Sequence, residues 1–146
     1  MFKLNPSERL LRWREFRKSL DEQDLSAACQ SVVDFWSTCP FSPYYLDYDY
    51  PELWPDPWTL IEENYYCDLA KTLGMLYTIK FTTHNPDVEI RVYYDAATRY
   101  NYNLVWINQG KYVINLIEGE VVNKAQVSKN LKLKVKYNEE LKLNSY

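Results

Sequence analysis

The stretch that decides the fold runs from Phe35 to Gly74 and reads FWSTCPFSPYYLDYDYPELWPDPWTLIEENYYCDLAKTLG. Between Ser42 and Ala70 it contains seven acidic residues and no lysine or arginine. A disordered acidic segment would contain few aromatic residues, whereas this stretch is rich in tyrosine and tryptophan. We therefore expect an ordered segment that packs against a large core or against a partner protein.

The length of the chain, 146 residues, predicts a single domain, 1–146. The net charge is −3, but the acids concentrate in the middle and the lysines after Val121, a segregation that suits docking or self-association. Four parts are expected: a helical hairpin (1–39), a loop rich in tyrosine, aspartate and proline (40–56), short helices (57–74) and an antiparallel sheet (75–146).

Capping signals predict where the helices begin. Asn5 followed by Pro6 predicts the start of the first helix, and Asp21 or Asp24 starts a second helix that ends before Pro40. Asp56 followed by proline predicts one or two helical turns around Trp58. A further short helix is expected over 67–73, closed by Gly74 as its C′ residue.

After Gly74 the apolar residues alternate, which predicts strands. The five predicted strands are Met75–Thr82, Val88–Tyr94, Tyr100–Asn108, Tyr112–Ile117 and Asn130–Tyr137. In the last strand one face should carry Leu131, Leu133, Val135 and Tyr137, and the other Lys132, Lys134 and Lys136. Helices followed by an antiparallel sheet make the fold class α+β.

The sequence predicts no cofactor and no metal site. The acids Asp47, Asp49, Glu52 and Asp56 are separated by bulky residues and have no glycine for a calcium loop. The three cysteines have no zinc spacing, so we expect reduced thiols in a cytosolic setting. The charged start of the chain has no signal-peptide core and no run is long enough to span a membrane, so we expect a soluble protein without a membrane partner.

The segment YYCDLAKTLGMLYTIKF resembles the cysteine-bearing helix of a transglutaminase-like domain, and NLVWINQGKYVINL resembles the strand pair that carries that family's histidine and aspartate. The resemblance implies that Cys67 is the nucleophile. It places the histidine near Tyr100–Asn103, where this chain has Tyr-Asn-Tyr-Asn, and the acid near Asn115. His84 is the single histidine, so an enzyme would pair Cys67 with His84; a buried structural cysteine is favoured over a catalytic one.

A second resemblance is to short proteins of tailed bacteriophages. It rests on W-P-D-P-W at Trp54–Trp58, on C-D-L-A-x-x-L-G-M-x-Y-T from Cys67, and on the closing strand G-K-Y-V-x-N-L from Gly110. This resemblance implies a virion component or assembly factor that folds in the cytoplasm of a bacterial host.

The leading expectation from the sequence is a non-enzymatic structural or assembly protein of a phage virion. It would bind other virion proteins, or itself, through aromatic anchors and lysines, because tyrosine and tryptophan dominate interface hot spots. The expected interface residues are Tyr44, Tyr45, Tyr48, Tyr50, Trp54, Trp58, Lys132, Lys134 and Lys136. The alternatives are a small cysteine-dependent transglutaminase-like or amidase-like enzyme and a host-directed acidic inhibitor that mimics nucleic acid. The acidic aromatic surface does not suit nucleic-acid binding.

Overall fold

A computed structural model describes residues 1–43 and 46–138 as an α+β fold. The helices are α1 (Pro6–Leu20), α2 (Leu25–Trp36), α3 (Pro57–Glu63) and α4 (Asp68–Lys80), with 3-10 turns at Pro51–Leu53 and Lys124–Gln126. The strands are β1 (Val88–Asp95), β2 (Tyr100–Ile107), β3 (Tyr112–Ile114), β4 (Val121–Val122) and β5 (Leu131–Tyr137). They form one antiparallel sheet in the order β4-β3-β2-β1-β5. Four helices and a five-stranded antiparallel sheet confirm the predicted fold class.

The predicted caps are present. The side chain of Asn5 accepts a hydrogen bond from the backbone N–H of Glu8 at 3.0 Å, and Asp56 accepts from Thr59 at 2.8 Å. Asp24, and not Asp21, begins α2 by accepting from Ala27 at 2.8 Å. These side chains satisfy N–H groups that a helix start leaves without an intrahelical partner.

The two N-terminal helices are where the sequence placed them, but each packs mainly against a later helix. Helix α1 lies against α3, and α2 lies against α4. The two meet where Phe16 stacks on Phe35, with ring centroids 3.9 Å apart. The two N-terminal helices therefore contact each other little, because each lies against a central helix.

The prediction of a strand over Met75–Thr82 is wrong, because α4 continues through Gly74 to Lys80. Almost every residue from Leu69 to Ile79 is buried, so α4 has no polar face to reveal a helical period. A short apolar run of this kind cannot be assigned to helix or strand by periodicity alone. Gly74 is an interior residue of α4 and not its C′ residue.

Gly74 is where α4 meets Trp36. A Cβ atom on Gly74 would lie 2.3 Å from Cη2 of Trp36, so only glycine permits this approach. One turn later, the buried Thr78 hydroxyl accepts hydrogen bonds from Nε1 of Trp13 at 2.9 Å and Nε1 of Trp36 at 3.0 Å. It donates to the carbonyl of Gly74 at 2.7 Å. Thr78 thus joins α1, α2 and α4 in one hydrogen-bonded cluster.

The inner face of the sheet packs on the helices, with Ile90, Val92, Val105 and Ile107 in the main core. The outer face carries a smaller apolar group, the outer cluster: Tyr93, Leu104, Trp106, Val113 and Val122. The chain crosses this face between β4 and β5, where the N–H of Lys124 bonds to the carbonyl of Gly110 at 2.8 Å and Val127 packs on the outer cluster.

A β-bulge corrects the predicted face of the last strand. Val92 pairs with Val135, but Tyr93 pairs with Leu133, so Lys134 is the extra residue. Val135 and Tyr137 therefore pack on the main core, whereas Leu131 packs on the outer cluster. The four apolar residues do not share one face, because a bulge shifts the alternation by one residue.

In the described ranges, no helix is both long and apolar enough to cross a membrane. Tyr44, Tyr45 and residues 139–146, which belong to the predicted loop and sheet segments, lie outside the described residues.

We predict that Gly74→Ala destabilises the fold by about 2 kcal/mol, because overpacking against the Trp36 ring exceeds the gain in helix propensity. Urea unfolding of the variant measures the change. The same substitution in a Trp36→Phe background should cost clearly less, since the clashing ring atoms are removed. A Gly74→Ala protein as stable as the parent would contradict this account of the α2–α4 contact.

Candidate functional site

Cys67 lies at the N-cap of α4, in extended backbone with φ −75° and ψ 174°. The chain enters this position from α3, which ends at Asn64 in the left-handed conformation. Ser42 fixes the approach: its N–H bonds to the carbonyl of Tyr66 at 3.1 Å, and its hydroxyl accepts from the N–H of Tyr66 at 2.9 Å. The thiol is free and Cys67 is 9% exposed, whereas Asp68, the first residue of α4, is exposed.

Asn103 brings β2 to the start of α4. Its side chain is 3% exposed, and both ends of its amide are engaged. The Oδ1 atom accepts a hydrogen bond from the Tyr48 hydroxyl at 2.9 Å, and Nδ2 donates to Oδ2 of Asp68 at 2.8 Å. Because Asp68 is the first residue of α4, Asn103 ties the sheet to the residue that follows Cys67.

Asn115, just after β3, completes the network. Its Nδ2 atom donates to Oγ1 of Thr72 at 3.0 Å, to the carbonyl of Asn103 at 2.9 Å and, more weakly, to Oδ1 of Asp68 at 3.5 Å. The residue has φ +73°, a conformation that asparagine tolerates better than most side chains. In this backbone conformation the side-chain amide of Asn115 points toward Asp68 and Thr72 of α4.

Tyr48 covers the network from the acidic aromatic loop. Its carbonyl accepts from the Tyr137 hydroxyl at 2.7 Å, which fixes the loop to β5. Burial raises the pKa of Tyr48; the hydrogen bond to Asn103 lowers it, and the charges of Asp68 and Cys67 raise it further. The Tyr48 hydroxyl therefore stays protonated and acts as a donor, and Cys67 is near enough to influence its titration.

A groove of about 430 Å³ opens beside these groups. Its lining includes Asp68, Asn103 and Asn115 from the network, together with Lys71, Tyr100 and Glu118. The groove is thus bordered by amide, hydroxyl and charged groups that can hydrogen-bond to a polypeptide backbone.

The structure does not bring Cys67 and His84 together. His84 follows the C-terminal end of α4, where its Nε2 donates to the carbonyl of Leu20 at 3.1 Å. Cys67 precedes the other end of this 13-residue helix, which is about 20 Å long at 1.5 Å per residue. A general base must come within hydrogen-bonding reach of the proton it takes, so His84 cannot serve Cys67.

The residues expected at an interface differ in their exposure to solvent. Tyr50 is 52% exposed, Tyr48 is partly buried in the network, and Tyr44 and Tyr45 are not described. Trp54 is 2% exposed, contacts the Tyr137 ring at a tilted angle and donates to the carbonyl of Asp47, so it packs inside the protein and is not a surface anchor. Trp58 is partly buried between Trp13 and Phe81. The three lysines of β5 are exposed.

The sequence pointed to the region of Asn103 and to Asn115. It did not predict their hydrogen bonds to Tyr48, Asp68 and Thr72. Asp68 and Thr72 lie four residues apart on α4 and so share a face. This spacing was the one feature of the sequence that could have indicated a polar contact at the start of α4. Tyr48 gave no signal, because its contact with Asn103 joins residues 55 positions apart.

Among residues 1–43 and 46–138, no group of three or more histidine, cysteine, aspartate or glutamate side chains is arranged to hold a metal ion.

Solved structures with the same fold are those of LapG from Legionella pneumophila, a transglutaminase-like cysteine protease. Calcium-bound LapG matches with a TM-score of 0.71 and 11% sequence identity, over 94% of this chain and 78% of that chain. EGTA-treated LapG matches with a TM-score of 0.69 and 12% identity, over 91% and 74%. No protein-family model and no curated protein sequence matches the chain. The transglutaminase-like resemblance is therefore supported at the level of the fold, and no similarity to a phage protein is found.

We predict that Asn103→Asp makes the fold less stable at neutral pH than at acidic pH. The new carboxylate would face Asp68 at hydrogen-bonding distance, and like charges this close disfavour ionisation of both groups. Its pKa in the folded state should rise above the unfolded value, so the folded state is favoured at low pH and loses stability as the pH rises through the raised pKa.

Urea unfolding at about pH 4 and about pH 7.5 measures this effect, which should reach about 2 kcal/mol relative to the parent. Asn101→Asp is the matched control, because Asn101 is exposed on the same strand. Equal pH dependence of the two variants would contradict the Asn103–Asp68 contact.

Proposed function

We propose that this chain is a non-catalytic protein with a transglutaminase-like fold, whose groove lined by Asp68, Asn103 and Asn115 holds a polypeptide segment without cleaving it. One observation supports this most strongly: the side chain that faces the start of α4 from β2 is Asn103, with both ends of its amide already bonded. The resemblance to transglutaminase-like domains expects the histidine base in this region of β2.

Acyl transfer by a cysteine needs a group that takes the thiol proton and later protonates the leaving group. An amide side chain does neither at neutral pH, because it has no accessible protonation change. Asn115 in place of the expected acid is consistent with this loss: there is no imidazole on β2 for a carboxylate to orient. Cys67 remains, but the groups around it form a stable hydrogen-bonded network.

The groove is the proposed binding site for the polypeptide segment. A fold shared with a protease supports a polypeptide ligand, and the groove is lined by groups suited to backbone hydrogen bonds. The charges of Lys71 and Glu118 would orient such a segment.

A second candidate is a cysteine-dependent amidase or transglutaminase-like enzyme. The free thiol at the start of α4 and the cysteine-protease neighbours favour it. It requires a base other than His84. The virion partners and location inferred from the sequence stay predictions, which neither the fold nor the neighbours address.

We predict that Cys67 of the parent protein reacts with iodoacetamide at about pH 6 no faster than glutathione, because no imidazole takes its proton. The double variant Asn103→His with Asn115→Asp should raise the rate at Cys67 about tenfold or more by restoring a base and its orienting acid. Mass spectrometry resolves the three cysteines.

Cys29 and Cys39 are internal controls in the same samples, since burial raises their pKa to about 12 and about 11. His84→Ala should leave the rate at Cys67 unchanged. Fast labelling of Cys67 in the parent protein would overturn the non-catalytic proposal in favour of the enzyme. No gain in the double variant, if it folds by circular dichroism, would show that Asn103 is not at the base position.

A further inference from the structure

Among the described residues, the sheet has one long edge strand with no neighbour on its outer side. Strand β4, at one side, has 2 residues, whereas β5, at the other, has 7 and spans about 24 Å. Strand β5 pairs with β1, and within residues 1–43 and 46–138 no strand pairs with its other side. The outward N–H and C=O groups of such an edge can template an added strand.

The bulge changes what this edge presents. Leu133 is paired with Tyr93, beyond the part of β5 that packs on the main core, and is 43% exposed. Together with Tyr94, Lys132 and Lys134 it lines a shallow depression of about 330 Å³. An apolar side chain placed there would cover Leu133, so the depression is suited to one residue of an added strand.

The charge of the edge is uniform. Lys132, Lys134 and Lys136 are exposed, and no acidic side chain in the described ranges lies within ion-pair distance of them. A second copy of β5 would bring lysines against lysines, which is unfavourable for directly opposed residues. An acidic strand would instead place carboxylates opposite ammonium groups. Charge complementarity therefore favours an acidic strand over a second copy of β5 as the partner.

We propose that β5 binds an extended acidic segment of a partner protein by strand addition, with carboxylates against Lys132 and Lys134 and an apolar side chain over Leu133. Backbone hydrogen bonds would supply affinity, and the lysines and the depression would supply specificity. This surface shares no lining residue with the groove beside Asp68, Asn103 and Asn115, so the proposal stands independently of the proposed function.

The test uses the full chain and a fluorescent seven-residue peptide of alternating glutamate and valine, the length of β5. Fluorescence anisotropy should show salt-sensitive binding, and hydrogen exchange should slow at amides of β5. Lys132→Glu with Lys134→Glu should weaken binding about tenfold, because two favourable cross-strand pairs become repulsive. The same variant should gain affinity for a peptide of alternating lysine and valine.

The matched control is Lys3→Glu with Lys124→Glu, an equal change of charge at exposed positions away from β5, which should bind the acidic peptide within about twofold of the parent. A peptide N-methylated at every amide should lose binding, because it has no N–H group left on either edge to donate to β5.

Three outcomes would overturn the proposal: no binding at about 1 mM acidic peptide, equal binding of the N-methylated peptide, or equal loss in the control variant. The last two would indicate attraction to surface charge without strand addition.

Discussion

The contact between Gly74 and the Trp36 ring is the constraint on which the rest of the structure depends. Without a Cβ atom at this position, α2 approaches α4 closely enough for Trp36 and Trp13 to reach the same Thr78 hydroxyl. The cluster places two polar indole groups in the core with a satisfied partner, which avoids the cost of burying them unpaired. It also sets α4 as the central element, with helices on one side and β1 and β2 on the other.

The candidate site follows from that position of α4. Because the helix is held along its length, its first turn is presented to β2 and β3 in a fixed orientation, and Asp68 and Thr72 meet Asn103 and Asn115. Cys67 precedes the first residue of this helix, Asp68, which accepts hydrogen bonds from the amides of Asn103 and Asn115. The fold resembles that of LapG, and the groups that contact Asp68 and Thr72 are amides, which have no accessible protonation change at neutral pH.

Tyr137 links this site to the edge of the sheet. It ends β5, packs against Trp54 and fixes the loop that carries Tyr48. Trp54 and, in part, Tyr48 of the acidic loop thus pack inside the molecule, and these contacts explain why an acidic stretch with so many aromatic rings is ordered. Trp54 is therefore inside the protein, whereas the lysines of β5 are exposed on its surface.

The sequence by itself determined the elements with local signals. The caps at Asn5, Asp24 and Asp56 and the existence of strands β1, β2 and β5 are signalled by neighbouring residues, and the structure contains all of these elements. It also determined that the region of Asn103 and the position of Asn115 lack the histidine and acid of a transglutaminase-like enzyme. Only the tertiary structure decided that α4 runs through Gly74, that a bulge divides β5, and that His84 lies at the far end of α4 from Cys67. These features depend on contacts between residues distant in sequence, and an element buried on all sides carries no period that reveals its type.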